Sequence, residues 1–457
     1  MTHLILYEES QGKHHQTQYL VFTRFSILVF IASILFWTLS QKVNAQLVHI
    51  PDPGLRAALE LALSKRMGED ITYADMASLE SLHAFESGIR DLTGIEFATN
   101  LKELHLGLNQ VSDILPLKDL TKLTFLDLHR NKNISDVSPL KNLTNLTHLS
   151  LRGNRISDVS PLKNLAKLTY LHIGYNRISD ISPFKFLITL TFLNLDENKL
   201  LEISPLKNLI NLIELHLDDN EILDISPLKD LKRLTFLNIN DNEISDISPL
   251  KSLTNLTSLN LHGNQISDGS PLKDLTKLNI LRFHENQISD ISSLKDLTNL
   301  KTLLLYTNQI SDVSPLKDLT QLKKLDLHDN QVSDISSLKD LANLTFLDLS
   351  GNYISDFSPI AGLIGNLTKF FNNNQKGLHF TPADVNRDGI INIIDLVLTA
   401  SNFGTSDLES LAQMNIYPDV NTDGIVDIRD LVTIAAEISP PVASTLNKNP
   451  VETTNLN

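Results

Sequence analysis

The chain has no cysteine. This excludes a disulfide scaffold, a thiolate-ligated zinc site and a thiol nucleophile. Basic residues are in the minority, with 39 Lys+Arg against 54 Asp+Glu and a formal net charge of −15. A phosphate backbone needs a basic face, so the charge balance argues against DNA or RNA as the partner. Long hydrophobic runs are almost absent as well. The one candidate, Phe25 to Leu39, has about 15 residues, short of the roughly 20 that cross a bilayer. It follows Arg24 and ends before Val43-Asn44-Ala45, a small-residue pattern that fits signal-peptidase cleavage after Ala45. Residues 1–45 are therefore expected to be a signal peptide, with a retained anchor as the alternative, and the mature chain to be exported and displayed at a bacterial surface. Hydrophobic residues at 42% still supply a packed core and exclude a wholly disordered chain.

The length of 457 residues suggests about three domains, but internal repetition overrides that prior. Asparagine recurs at Asn109, Asn131, Asn154, Asn176, Asn198, Asn220, Asn242, Asn264, Asn286, Asn308, Asn330 and Asn352. Every step is 22 residues except one of 23, at the Lys132-Asn133 insertion. The surrounding pattern is L-x-x-L-x-L-x-x-N-x-I-S-D-I-S-P-L-K-x-L, and a further copy from Leu79 carries Ser87 in place of asparagine. The alternation in Leu126-Asp127-Leu128 is that of a strand, with leucines inward and Phe125, Asp127 and His129 outward. One 22-residue unit cannot bury its own leucines, so stacked copies must share one core. Each asparagine sits at a bend, where its amide can satisfy backbone groups of neighbouring coils. Ser-Pro pairs such as Ser138-Pro139 are expected to open the return segment, with Ser as the cap and Pro at the first helical position.

These repeats resemble the bacterial 22-residue leucine-rich repeats, most closely those of internalins. The resemblance implies an α/β solenoid, curved, with a parallel β-sheet on the concave face, and a binding protein rather than an enzyme. About 13 units are expected over residues 79–371. Residues 46–78 read as a helical N-terminal cap, with Leu55, Ala58, Leu59, Leu63 and Met67 on one face and a second start at Thr72 with Asp75 three residues on. A degenerate last unit is followed by linker at 372–381.

The register defines three outward columns, beginning at Glu103, His105 and Gly107 and recurring with the repeat, and eight of the 14 histidines fall in them. Rings and acidic groups on a rigid sheet suit partner recognition. The candidate ligand-binding residues are Phe125, His129, Tyr170, His172, Phe192, Asp196, His216, Asp218, Phe236, His262, His284, Tyr306 and His328. The competing reading is repeat drift, in which His and Phe are fillers. Close imidazoles also predict a pH-sensitive surface between pH 5 and 7.5. A metal ion held by His262, His284 and His328 is a lesser alternative. Acidic pairs on a repeat face lack a cleft that raises one pKa, and no room is left for a catalytic domain, so catalysis is not expected.

Near the end, Asp384-Val-Asn386-Arg-Asp388-Gly389-Ile390 and Asp419-Val-Asn421-Thr-Asp423-Gly424-Ile425 repeat one another within the pattern D-x-N-x-D-G-x-x-[ND]-x-x-D. Oxygen donors at loop positions 1, 3, 5, 9 and 12, a carbonyl at 7 and glycine at 6 suit Ca²⁺. Residues 380–439 hold ten Asp/Glu against two Lys/Arg, charges that repel unless an ion is bound. The pair resembles a type I dockerin, a small all-α module with two EF-hand-type loops. The resemblance implies two Ca²⁺ ions, one on Asp384, Asn386, Asp388, Ile390 (carbonyl), Asn392 and Asp395, the other on Asp419, Asn421, Asp423, Ile425 (carbonyl), Asp427 and Asp430. It further implies a cohesin partner, often on scaffolds of polysaccharide-degrading enzymes. The family's recognition positions fall on Ile393, Ile394, Ile428 and Arg429, where many members carry a hydroxyl pair instead. The module covers 382–439, and residues 440–457 read as a disordered tail. The alternative is a surface adhesin or spacer whose loops form only a calcium-stabilised cap; a glycoside hydrolase component is the remaining reading.

Overall fold

The computed structural model describes residues 46–376. The signal segment, the calcium loops, the cohesin-facing positions and the tail lie outside them. The described residues fall into two compact units. One takes in residues up to Leu200 together with Ser204–Leu212; the other takes Leu201–Ile203 and the residues from Ile213 on.

The first unit opens with helix α1 (Pro53–Ala62) and helix α2 (Tyr73–Ser78). Asp52 caps α1, its Oδ1 accepting the Leu55 N–H at 2.9 Å. Its Oδ2 accepts from the Arg90 and Asp91 backbone at 2.8 and 3.1 Å, which pins the cap to the first coil. Burial raises the Asp52 carboxyl pKa, but these backbone donors outweigh it and the net shift is downward. Thr72 and Asp75 form the expected capping box on α2. Leu55, Leu59 and Met76 are buried against the first coil, whereas Met67 is 98% exposed. The chain leaves the helix at Leu63 and turns through Ser64 at φ 55°, so Met67 falls out of the helical period that assigned it to the cap face.

Six three-residue strands follow: β1 Ser81–His83, β2 Glu103–His105, β3 Phe125–Asp127, β4 His148–Ser150, β5 Tyr170–His172 and β6 Phe192–Asn194. They pair in parallel and in sequence order, each residue facing its counterpart one repeat on, or 23 residues on across the insertion. The second unit repeats the arrangement with β7 Glu214–His216, β8 Phe236–Asn238, β9 Ser258–Asn260, β10 Ile280–Arg282, β11 Thr302–Leu304, β12 Lys324–Asp326, β13 Phe346–Asp348 and β14 Lys369–Phe371. The middle residue of nearly every strand is a leucine with no exposed surface, as is the aliphatic residue two positions later. Each buried leucine contributes roughly 2 kcal/mol.

The asparagine ladder is present. In the second unit, Asn308 Oδ1 accepts from Ile288 N one coil back, and its Nδ2 donates to the carbonyls of Phe283 and Leu305. The preceding residue adopts a left-handed conformation in nearly every coil, with φ between 45° and 70°. Glycine supplies it at Gly153, Gly263 and Gly351, and ordinary residues elsewhere, a constraint the repeat pattern does not reveal.

Two expectations are corrected. Serine does not cap the return segments. Ser138 is the first residue of a 3₁₀ turn and Pro139 the second, and the cap position, Val137, offers no side-chain acceptor. Asp136 takes the role: its Oδ1 accepts from Ser138 N at 2.8 Å and its Oδ2 from Ser138 Oγ at 3.0 Å. An aspartate two residues ahead of the turn is chemically suited to the task because it satisfies both donors at once. The same Asp–Ser pair recurs in later coils, for example at Asp224–Ser226 and Asp290–Ser292. Second, residues 372–375, read as linker, fold as part of the last coil. Gln375 replaces the ladder asparagine, accepting from Ile354 N and donating to Leu349 and Asn372 carbonyls. The extra methylene of glutamine suits the 23-residue step from Asn352.

Candidate functional site

The outward strand positions carry the candidate site. Because strands pair in register, equivalent residues of successive coils lie one strand spacing apart, about 4.8 Å, close enough for rings to stack.

In the first unit the rings form one ladder. His83 stacks on His105 with centroids 4.2 Å apart, and His105 on Phe125 at 4.4 Å. Phe125 continues to His148 at 5.9 Å, His148 to Tyr170 at 5.7 Å and Tyr170 to Phe192 at 4.2 Å, the last pair only 9° from parallel. His83 lies outside the columns that begin at Glu103, His105 and Gly107, although the same 22-residue step back from His105 reaches it. Its neighbour Phe85, half exposed, lies 5.8 Å from His129.

Two glycines in the third column make room. A Cβ at Gly107 would sit 2.3 Å from the His129 ring, and one at Gly174 would collide with Asp196 Oδ1. His129 Nδ1 is 2.8 Å from Asp127 Oδ1. Asp196 is buried, with Oδ1 3.8 Å from His172 Nε2.

In the second unit, Phe236 lies tilted against His216 with centroids 4.7 Å apart, and Asp218, on the coil of His216, is half-buried. The main ladder is in the third column: His262 on His284 at 4.3 Å, His284 on Tyr306 at 4.0 Å, and Tyr306 on His328 at 4.3 Å. Six of the thirteen candidate residues lie on the outward positions of strands and the other seven two residues past a strand end, where Asp196 and His284 are buried; most join one of these contacts. The metal grouping of His262, His284 and His328 is met only in part: donor atoms of His262, His284 and Glu285 lie within 4.8 Å of one another, whereas His328 falls into a separate group with Asp326 and Asp348.

Electrostatics separates the imidazoles. Burial pushes His284 down to about 3, with His262, Arg282, His328 and Lys324 adding repulsion. It is therefore neutral throughout the pH 5–7.5 window. His105 is also lowered, by burial first and by His83 second. His328 moves the other way. Burial pulls its pKa down, but the hydrogen bond and charge of Asp326 and the charge of Asp348 outweigh burial and raise it. The Asp348 carboxyl is raised by burial, opposed by hydrogen bonds from Ser350 and reinforced by Asp326. Asp326 and Asp348 were not among the sequence candidates. The Asp-x-His spacing at Asp326–His328, combined with the repeat register, is the signal that finds them.

Among the described residues no helix is long and apolar enough to cross a membrane. A family model described as Leucine Rich repeats (2 copies) matches residues 99–142, 144–186, 232–274, 254–296, 276–318 and 320–362. The chain is 41% identical to an internalin of Listeria monocytogenes str. 4b F2365 of known structure, covering 71% of this chain and 96% of that one with a TM-score of 0.69. A leucine-rich repeat protein of Leptospira interrogans is 28% identical, covering 66% of this chain and 80% of that one at a TM-score of 0.62. Internalin C of Listeria monocytogenes serotype 1/2a is 39% identical over 57 residues, which span 12% of this chain and 19% of that protein.

Proposed function

The chain belongs to the internalin-like family of leucine-rich repeat proteins, and from that premise we propose that it is an exported binding protein whose outward strand face holds a protein ligand. The observation that carries this reading is the ring ladder from His83 to Phe192. Six rings in contact on consecutive strands, three of them imidazoles, give a preorganised stripe in which His83 and His148 are exposed and the other four half-buried. Such a stripe contributes to binding without the entropy loss of ordering side chains on contact.

We further propose that residues 382–439 form a calcium-dependent dockerin-like module holding two Ca²⁺ ions, and that it anchors the protein to a cohesin-bearing partner. The two matching loops support this part, with the ligand sets at Asp384–Asp395 and Asp419–Asp430. Together the readings describe a binding face tethered at the bacterial surface, within or beside a polysaccharide-degrading assembly.

The test uses the full chain as bait in native culture fluid, with calcium or with a chelator. The expected result is two kinds of captured protein. One is lost in the Tyr170→Ala/Phe192→Ala variant, with unchanged circular dichroism, and is indifferent to chelation. The other binds cohesin-type modules and disappears with chelation. Capture unaffected by the double variant would sink the ladder as the binding surface. Indifference to calcium would leave the spacer reading in place of the anchor.

A further inference from the structure

Two Asp-x-His pairs occupy the same register on the strand face, Asp127–His129 in the first unit and Asp326–His328 in the second. In both, the histidine Nδ1 bonds the aspartate, at 2.8 Å in the first pair and 2.7 Å in the second. They differ in what the next strand brings. Opposite Asp127 stands Ser150; opposite Asp326 stands Asp348. His328 Nδ1 is 3.9 Å from Asp348 Oδ2, and one donor atom from each of Asp326, His328 and Asp348 lies within 4.8 Å of the others.

We propose that Asp326, His328 and Asp348 bind one divalent transition-metal ion of the Zn²⁺ class through Nδ1 of the imidazole and one oxygen of each carboxylate. The donor spacing fits. Two ligand atoms bound tetrahedrally at about 2.1 Å from zinc are roughly 3.4 Å apart, between the 2.7 and 3.9 Å found here. The donors are also held in place. Asp326 is 7% exposed on a paired strand. Asp348 Oδ1 accepts from Ser350 N at 3.0 Å and from the Ser350 hydroxyl. Tyr306 stacks on the His328 ring 11° from parallel. Such support from outside the ligand set is what orients metal-binding side chains.

Charge points the same way. Two carboxylates side by side on adjacent strands need more than one positive charge, and Lys324 directs its ammonium over the Phe346 ring. An imidazolium at His328 answers one carboxylate; a dication with neutral imidazole answers both. Binding displaces the proton between Nδ1 and Asp326, which leaves to solvent. The His328 and Asp348 side chains keep 28% and 16% of their surface accessible, so a fourth coordination position opens onto the strand face, where water or a partner's side chain completes the shell.

The experiment titrates the full chain with ZnCl₂ in buffer saturated with Ca²⁺, followed by calorimetry and by side-chain ¹H–¹⁵N spectra of the histidines. The His328 Nδ1 resonance is expected to shift on zinc addition while that of His129 stays in place, and Asp348→Asn is expected to weaken zinc binding at least about tenfold. A His328 resonance unmoved by zinc would overturn the proposal even if the variant failed to fold. Equal zinc titrations of wild type and a folded Asp348→Asn would overturn it as well.

Discussion

The first unit and the second unit are built from the same coil, yet their ring ladders run in different columns and have different properties. In the first, the rings from Phe125 to Phe192 occupy the position at which each strand begins, and they are half-exposed and rich in hydrocarbon. In the second, the rings from His262 to His328 lie two residues past the strand end, beside the asparagine bend. There Asn286 Nδ2 donates to the His284 carbonyl at 3.0 Å, and His284 itself is 4% exposed. The same repeat thus makes an apolar docking stripe when rings enter the first column. It makes a partly buried, charge-coupled row when they enter the third, with His284 alone buried. Column rather than ring type decides which.

The largest expected effect tests whether the coils are as equivalent as their pattern. Asn308→Ala removes an acceptor and several donated bonds at a buried bend and should destabilise by about 3 kcal/mol in urea unfolding. Asn154 is the exception within the first unit. Its Oδ1 has no hydrogen-bond partner, because the one-residue insertion at Lys132-Asn133, with Lys132 at φ 65°, shifts the N–H it would accept. Asn154→Ala should therefore cost clearly less, about 1–2 kcal/mol. Equal losses would show that the insertion leaves the ladder intact.

Next in size is a gain. Ser150→Asp gives the Asp127–His129 pair the neighbouring carboxylate that Asp348 supplies in the second unit. It should add one zinc ion per chain in calorimetry. At a free zinc concentration 100 times the dissociation constant, that ion would stabilise the fold by about 2.7 kcal/mol.

Acidification should separate the units. The folded pKa of His284 lies near 3, below its unfolded value near 6.5. The unfolded chain therefore binds a proton that the folded chain does not. The stability contributed is present above pH 6.5 and is lost as pH falls towards 3, at about 1.4 kcal/mol per pH unit. Hydrogen exchange from pH 7 to 5 should show protection falling in the coils around residue 284, and His284→Phe should flatten that dependence. A uniform loss across all coils would break the contrast. The smallest effect concerns the bend. Thr307 is β-branched at φ 52°, so Thr307→Gly should raise stability by up to about 1 kcal/mol in thermal melts.

Much of this was legible in advance. The 22-residue asparagine spacing, the inward leucines and the Thr72–Asp75 start led directly to the strands, the ladder and the capping box. Six of the thirteen candidate ligand residues sit on strands and seven just past a strand end, with Asp196 and His284 buried. Asp136 as the true cap and the left-handed residue before each asparagine were not legible. Both depend on where a side chain or a φ angle lies relative to backbone atoms, and a repeat pattern records only which residue types are tolerated. Met67 was misplaced for a related reason: helical periodicity continues on paper after the helix has ended.

By itself, the sequence determined the period, the register and the residue types on each face. A repeat that cannot bury its leucines alone must stack, and stacking in register follows from the constant spacing. Only the tertiary structure decided which outward residues act together. Rings 22 residues apart stack at 4.0 Å between His284 and Tyr306 and at 5.7 Å between His148 and Tyr170, and two Asp-x-His pairs of identical spacing acquire different neighbours. The physical reason is that stacking distance, burial and ligand convergence are set by side-chain direction across neighbouring strands, which spacing along a single chain does not encode.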